Sequence, residues 1–395
     1  MPTKNLLKKT DKDANLKSKN IIREIWGTLS KRRKKQLIAS VIISIITGFS
    51  EMLLIVTLLK YLSLLTNPAE ALKDNLFINL NSFFQIKTIK NTLLLSSLIL
   101  FCVSLLTFTF RVGTQWINAK LSLFIGHDLS YEVFRRTINL PYKKHLNIDS
   151  SKLIATLSRE IEVTLLVIEH LLNIFSSCII IIFLITAMAF ADWKTAFIAG
   201  GFFIICYKFI SIKSNKRILA NGKIMTFALR KQIKLIQESI GSIRNLILDN
   251  SHEIYINRYK ETDYISKNAL AQNHLIKTLP RSFFEAIIIS GLALICSFIT
   301  IFSVFDTYKV IPILAVLAVG SQKLIPAFQT IFSSWSSLGE NLESVAAVIK
   351  LAKQPLHKTS KIGIVKPLRF SKNITFKDVE LSYLNNKTIL KNINL

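Results

Sequence analysis

Cysteine is nearly absent from this chain: four residues in 395, at Cys102, Cys178, Cys206 and Cys296. All lie in or beside apolar runs and none has metal-like spacing, which excludes a cysteine metal centre and leaves buried packing groups. Acidic residues are scarce too, 24 against 51 Lys and Arg, for a formal net charge of +27. Such an excess suits nucleic acid, but no aromatic-rich basic module accompanies it, so no nucleic-acid partner is expected. A secretory signal is also missing. The first 35 residues are polar and lysine-rich, and the first apolar run is too long for a signal core. Glycine and proline rarely interrupt the two longest stretches between apolar runs, so those stretches do not read as loops.

Apolar residues are abundant: 50% of the chain, with a mean hydropathy of +0.41. That composition belongs to membrane proteins. Six stretches read as spans: Leu37–Leu59, Thr92–Trp116, Leu171–Phe190, Thr195–Ile212, Ser282–Phe305 and Val310–Phe332. About 20 apolar residues at 1.5 Å each cover a ~30 Å hydrocarbon core. Residues 1–35 hold 12 Lys/Arg against 3 acids, and residues 208–281 hold 14 against 5. Basic segments stay on the cytoplasmic side, so both termini are expected there, in a plasma (bacterial inner) membrane.

The connections alternate in length. Ala191–Lys194 and Asp306–Lys309 are short, whereas the segments after the second and fourth spans are long. Ile233, Ile236, Ile240, Ile243 and Ile247 recur at helical spacing in the second long segment; Ile161, Leu165, Ile168 and Leu172 do so in the first. Each stripe predicts a helix continuing beyond the membrane with one apolar face to bury. Pro141 and Gly241 mark the turning points of these hairpins, or kinks within them. His127, His145 and His170 fall on the helical legs and read as surface residues.

Four sections follow. Residues 1–35 are a basic tail, disordered at first, with Ile21, Ile22, Ile25, Trp26 and Leu29 spaced as a short interfacial helix. Residues 36–353 are the all-α membrane domain, and 354–372 a polar, proline-containing linker. From 373 to 395 the period turns to alternation: Ile374/Phe376, then Val379/Leu381/Tyr383 in the opposite phase, a turn at Asn385-Asn386-Lys387, and a returning strand. The phase shift at Lys377-Asp378 predicts a bulge. Two or three strands alone are not independently stable.

Four ionisable residues fall within or at the edge of apolar runs: Glu51, Arg111, Arg281 and Lys323. A charge at bilayer depth costs several kcal/mol unless it faces water or a partner. Lys323 lies far from either end of its span and is the strongest candidate for a cavity. Arg111 and Arg281 line the same cavity or anchor at the inner interface. Glu51 is their counter-ion or a helix–helix glue residue.

The layout of interfacial helix, six spans and two long helical hairpins resembles the exporter-type ABC transmembrane domain. The ending NITFKDVELSY followed by TILKNINL (Asn373–Tyr383, Thr388–Leu395) is similar to the first strands of that family's ATPase domain. Further short matches, Glu51, Phe110-Arg111, Pro280-Arg281 and Lys323-Leu324-Ile325-Pro326, resemble the bacterial lipid-linked oligosaccharide flippases. The resemblance implies an ATP-driven exporter or flippase acting as a homodimer or paired half-transporters. It also implies nucleotide-binding domains docked on hairpin tips near Tyr142–Ser151 and Gly241–Asn250, and an adenine stacked on Tyr383. Its substrate would be a lipid-linked oligosaccharide or other anionic lipid, held by Arg111, Arg281, Lys323 and Glu51; a general drug or peptide exporter and a non-transporting scaffold are the alternatives. Those flippases tend to carry arginine where this chain has Lys323, which keeps the charge but not the planar two-donor fork. ATP and Mg belong to the complete protein. No G-x-x-x-x-G-K-[ST] occurs in the sequence, so the chain is expected to be a membrane subunit or truncated half that does not hydrolyse ATP alone.

Overall fold

Ser30 starts the first long helix: its backbone is extended and its hydroxyl accepts a bond from the Arg33 amide. This helix, α1, runs Lys31–Thr66. The computed structural model describes Gly27 and residues 30–84, 88–145, 150–190, 193–302, 307–355, 370, 372–382 and 388–395. After two short helices, α2 (Pro68–Ala71) and α3 (Asn75–Phe83), comes α4, Ile89–Ile138. Arg135 and Arg136 in its last turn complement the helix dipole. It stops just short of Pro141, which cannot continue it. Next come α5 (Tyr142–His145) and α6 (Ser150–Ala155), which passes through a π-helical turn, Thr156–Glu160, into α7, Ile161–Ala189. Then follow α8 (Trp193–Gly241), α9 (Ile243–Leu248), α10 (His252–Phe302), α11 (Thr307–Glu340) and α12 (Leu342–Ala352). The break between α8 and α9 falls at the expected Gly241.

α4, α8 and α10 hold 50, 49 and 51 residues. At 1.5 Å per residue each is about 75 Å long, more than twice a ~30 Å hydrocarbon core. Lys31–Thr66, Ile89–Ile138 and Leu153–Ala189 are long and apolar enough to cross a membrane. The chain is therefore mainly helical, with helices suited to a bilayer. For the expected fourth, fifth and sixth spans, parts of the apolar stretches lie outside the described side chains, as do Ala191-Asp192 and residues 303–306. The interfacial helix around Trp26, the linker at 356–369 and the side chain of Cys296 also lie outside the described residues.

α1 packs on α4 and α7, α11 on α7 and α8, and α10 on α8 and α11. The main core is aromatic: Tyr207 of α8 stacks on Phe284 of α10 at 4.6 Å and on Phe328 of α11 at 5.6 Å. Offset ring pairs of this kind add ~0.5–1.5 kcal/mol beyond their buried area. Farther along, Gly222 lets α8 and α11 touch backbone to backbone. A Cβ there would lie 2.1 Å from the Glu340 carbonyl oxygen.

The two apolar stripes behave differently. Ile161, Ile168 and Leu172 are buried, and the first leg is closed by α12, which packs on α4, α7 and the π turn. In the second leg Ile236, Ile240, Ile243 and Ile247 are exposed, Ile240 at 67%. The expectation that this stripe is covered does not hold within one chain, because α8 turns another face to α10 and α11. Cys102 and Cys178 are likewise exposed rather than buried. His170 is half-buried and its Nδ1 contacts Ser334 Oγ at 3.2 Å, so it is not a surface residue; His127 is exposed.

Arg33 joins α1 to α4 with two bonds to Asp128, 2.7 and 3.2 Å. The hydrogen-bonded guanidinium holds the Asp128 carboxyl below its usual range. At the C-terminal end β1 (Val379–Ser382) and β2 (Thr388–Ile393) form an antiparallel pair. Phe376 and Leu395 exchange two further backbone bonds. Asp378 has φ 47° and the register shifts after Val379, so the irregularity falls beside the predicted bulge. Residues 374–376 do not form the expected first strand.

Candidate functional site

One face of α1 is built from small polar residues at helical spacing: Ser40, Ser44, Thr47 and Ser50, all buried. Such hydroxyls tolerate a low-dielectric setting because each can bond a carbonyl one turn back. Ser44 donates to Ser40 O at 2.8 Å and Thr47 to Ile43 O at 2.9 Å. They also reach the neighbouring helices. Ser40 Oγ donates to Asn118 Oδ1 at 2.7 Å, Thr47 and Thr114 share a 2.6 Å bond, and Ser44 and Ser176 share one of 2.8 Å. Asn118 Nδ2 completes the seam with 3.0 Å to Ser176 Oγ. Close packing of small polar groups is how helices associate where water offers no hydrophobic drive.

Glu51 caps this seam. Its side chain is 4% exposed and pairs with the Lys323 ammonium of α11. Arg111 Nη1 of α4 stands 3.7 Å from the other carboxylate oxygen and is itself 49% exposed. A buried carboxylate without a partner would be strongly destabilising, and the two cations supply that partner. Helical rise gives the depth: Glu51 lies about 24 Å from Lys35 and about 14 Å from Lys60 along α1. Lys323 lies about 21 Å from Lys309 and about 26 Å from Glu340 along α11. Both positions fall well inside their apolar runs.

A cavity of about 450 Å³ opens on this cluster, walled by hydroxyl and amide side chains of α4, α7 and α11. Its charged lining residues are Glu51, Arg111, Lys323 and Glu169. No family model matches this chain. What the cavity does must therefore be read from its own groups. Two cations and two carboxylates balance, so the uniformly positive surface expected from Arg111, Arg281 and Lys323 is not what the lining carries. Arg281 is absent from it. On α10 its Nε bonds Glu285 at 2.8 Å, one turn along, and both side chains are about half exposed. The i,i+4 spacing made that pair legible in the sequence.

Tyr383 lies outside the described residues. Among the described residues of this segment, β1 and β2 form a two-stranded ribbon. Among the described residues no group of His, Cys, Asp or Glu is arranged to hold a metal ion.

Two buried polar joints escaped the sequence reading. In the first, Lys277 of α10 pairs with Glu340 of α11 and donates to Ser337 Oγ at 2.9 Å. Asn273 adds 3.1 Å to Glu340 and 2.8 Å to Asn221 of α8. In the second, Glu160 of the π turn is fully buried and accepts Arg230 Nη2 of α8 at 2.8 Å and Thr156 at 2.7 Å. Apart from the local Thr156–Glu160 bond, both unite residues 52 or more positions apart, with no spacing to betray them.

Proposed function

We propose that this chain is the membrane-spanning half of an ATP-driven exporter of the ABC type. It works as a pair of such halves and moves a lipid with an anionic, polar head, such as a lipid-linked oligosaccharide. In this reading six spans cross the bilayer, both termini are cytoplasmic, and nucleotide-binding domains dock near Tyr142–Ser151 and Gly241–Asn250. ATP hydrolysis supplies the free energy in the complete protein; this chain's residues bind and orient the lipid.

The observation that carries the reading is the Glu51–Arg111–Lys323 cluster, held by three long helices deep in their apolar runs and open to a polar cavity. Ionisable residues kept at such depth mark substrate paths. Glu51 is shared between two cations, and Arg111 is the looser and more exposed partner. An entering phosphate replaces that long contact with short charge-assisted bonds, strengthened because the cavity is poorly screened.

Two experiments test this. A cysteine at Asn75 should react with an impermeant thiol reagent from outside intact cells and one at Asn250 should not; the reverse pattern defeats the topology. In a version of the protein joined to an active ATPase domain, Lys323→Gln should abolish flipping of a fluorescent lipid-linked oligosaccharide while basal ATP hydrolysis persists. Unchanged flipping in the combined Arg111→Gln, Lys323→Gln protein would return both cations to a structural role.

A further inference from the structure

Three of the four charged residues lining the cavity are paired with one another, Glu51 with Lys323 and Arg111, and leave one positive charge over. The fourth, Glu169 of α7, has no hydrogen bond or ion pair among the described residues. It is half-buried, and its neighbours on the cavity wall are neutral: Asn173 one turn on, then Ser176 and Ser177. A carboxylate lining a polar cavity can accept hydrogen bonds from a cationic group placed there.

The position of Glu169 relative to the cations follows from helix geometry. Its neighbour His170 contacts Ser334 of α11 at 3.2 Å. Ser334 lies eleven residues beyond Lys323 on the same helix, an axial separation of roughly 16 Å. The cavity is thus a polar cleft with net positive charge at its deep end and a single negative charge at its shallow end. Asn118, Thr114 and Thr330 supply hydrogen-bonding groups between them. A purely anionic ligand satisfies only the deep end and leaves Glu169 unused.

We infer that the cavity selects an amphoteric headgroup: its phosphate meets Arg111 and Lys323, and an amine at its far end meets Glu169. Glu169 is then the specificity-determining residue of the site. This rests on the reading of the cavity as a lipid-headgroup site and adds the demand for an amine.

The test measures binding of two lipids to the full chain in nanodiscs of neutral lipid: phosphatidylglycerol, and its lysyl ester, which carries the same phosphate and adds ammonium groups beyond it. The chain should prefer the lysyl ester by about fivefold or more, as one part-buried ion pair gives. Glu169→Gln should erase the preference while leaving phosphatidylglycerol binding within about twofold, and Glu169→Asp should retain it. Glu162→Gln, an exposed carboxylate on the same helix paired with Arg159, controls for general surface charge and should change nothing. Equal affinity for both lipids in the unmodified chain, or a preference that survives Glu169→Gln, overturns the inference while leaving the headgroup site standing. Binding of neither lipid, or of both undiminished by Lys323→Gln, overturns the headgroup site itself.

Discussion

The two long helical legs began as equivalents in the sequence and end as opposites in the structure. Both carry an apolar stripe at helical spacing. In the first, Ile161, Ile168 and Leu172 are covered by α4 and by α12, the helix that folds back after α11. In the second, Ile236, Ile240, Ile243 and Ile247 face outward, because α8 spends its other faces on α10 and on the Gly222 contact with α11. An amphipathic period says that a face is apolar. It does not say which chain covers it.

The contrast can be broken most severely where the two legs meet. Arg230→Ala leaves the Glu160 carboxylate buried without its cation, and should cost about 3–5 kcal/mol. The check is thermal unfolding of the detergent-purified chain, with Arg230→Lys recovering part of the loss. A near-normal melting temperature for Arg230→Ala would mean that Glu160 is not held by this pair.

Cutting the stripes themselves comes next. Ile168→Ala should cost about 2–5 kcal/mol, a buried large-to-small change. Ile240→Ala should fall within about 0.5 kcal/mol in the isolated chain. A comparable loss at both would show that the second stripe is covered in solution.

Gly222→Ala comes third, at about 1–3 kcal/mol for forcing α8 away from α11. Gly241→Ala, which meets no atom within 4 Å, should be close to neutral under the same assay. Equal effects would remove the close helix approach as the reason for the glycine.

The smallest effect concerns pH. Asp128 is held below its usual range by Arg33, so its contribution is present above the ordinary carboxylate range and lost as pH falls through the lowered value. The carboxylate is 45% exposed, so solvent screening keeps the contribution small. Asp128→Asn should lower stability slightly at neutral pH and not at all below the lowered value, so that the slight acid sensitivity under about pH 4 disappears.

Helix content, the breaks at Pro141 and Gly241, and the irregularity beside Asp378 were legible because local rules set them: proline stops a helix, and a phase shift demands an extra residue. The special standing of Glu51, Arg111 and Lys323 was legible for a different reason, since charge inside an apolar run is conspicuous. Glu51 as counter-ion to the two cations was one of two readings left open, and the structure brings Lys323 to it across 272 residues. Of the two readings of Arg281, cavity lining is the one its Glu285 partner and its absence from the lining disfavour. Glu169 was overlooked because it sits at the edge of an apolar run, where a carboxylate draws no notice. The serine and threonine face of α1 was present all along as a four-then-three spacing, and a search for small polar periodicity would have found it.

That face has a consequence for how the molecule can move. A slip of α1 by one turn against α4 and α7 would shift every hydroxyl by 5.4 Å and strand them together, deep in a setting that offers no substitute partner. The bonds at Ser40, Ser44 and Thr47 therefore act as a row of detents that fix one alignment of three helices. The stacked rings of Tyr207, Phe284 and Phe328 join α8, α10 and α11 to one another instead, and such rings slide and tilt without losing a bond. Rearrangement of this chain should leave the three-helix slab intact, which spin labels on α1, α4 and α7 would reveal as constant distances while distances among α8, α10 and α11 change.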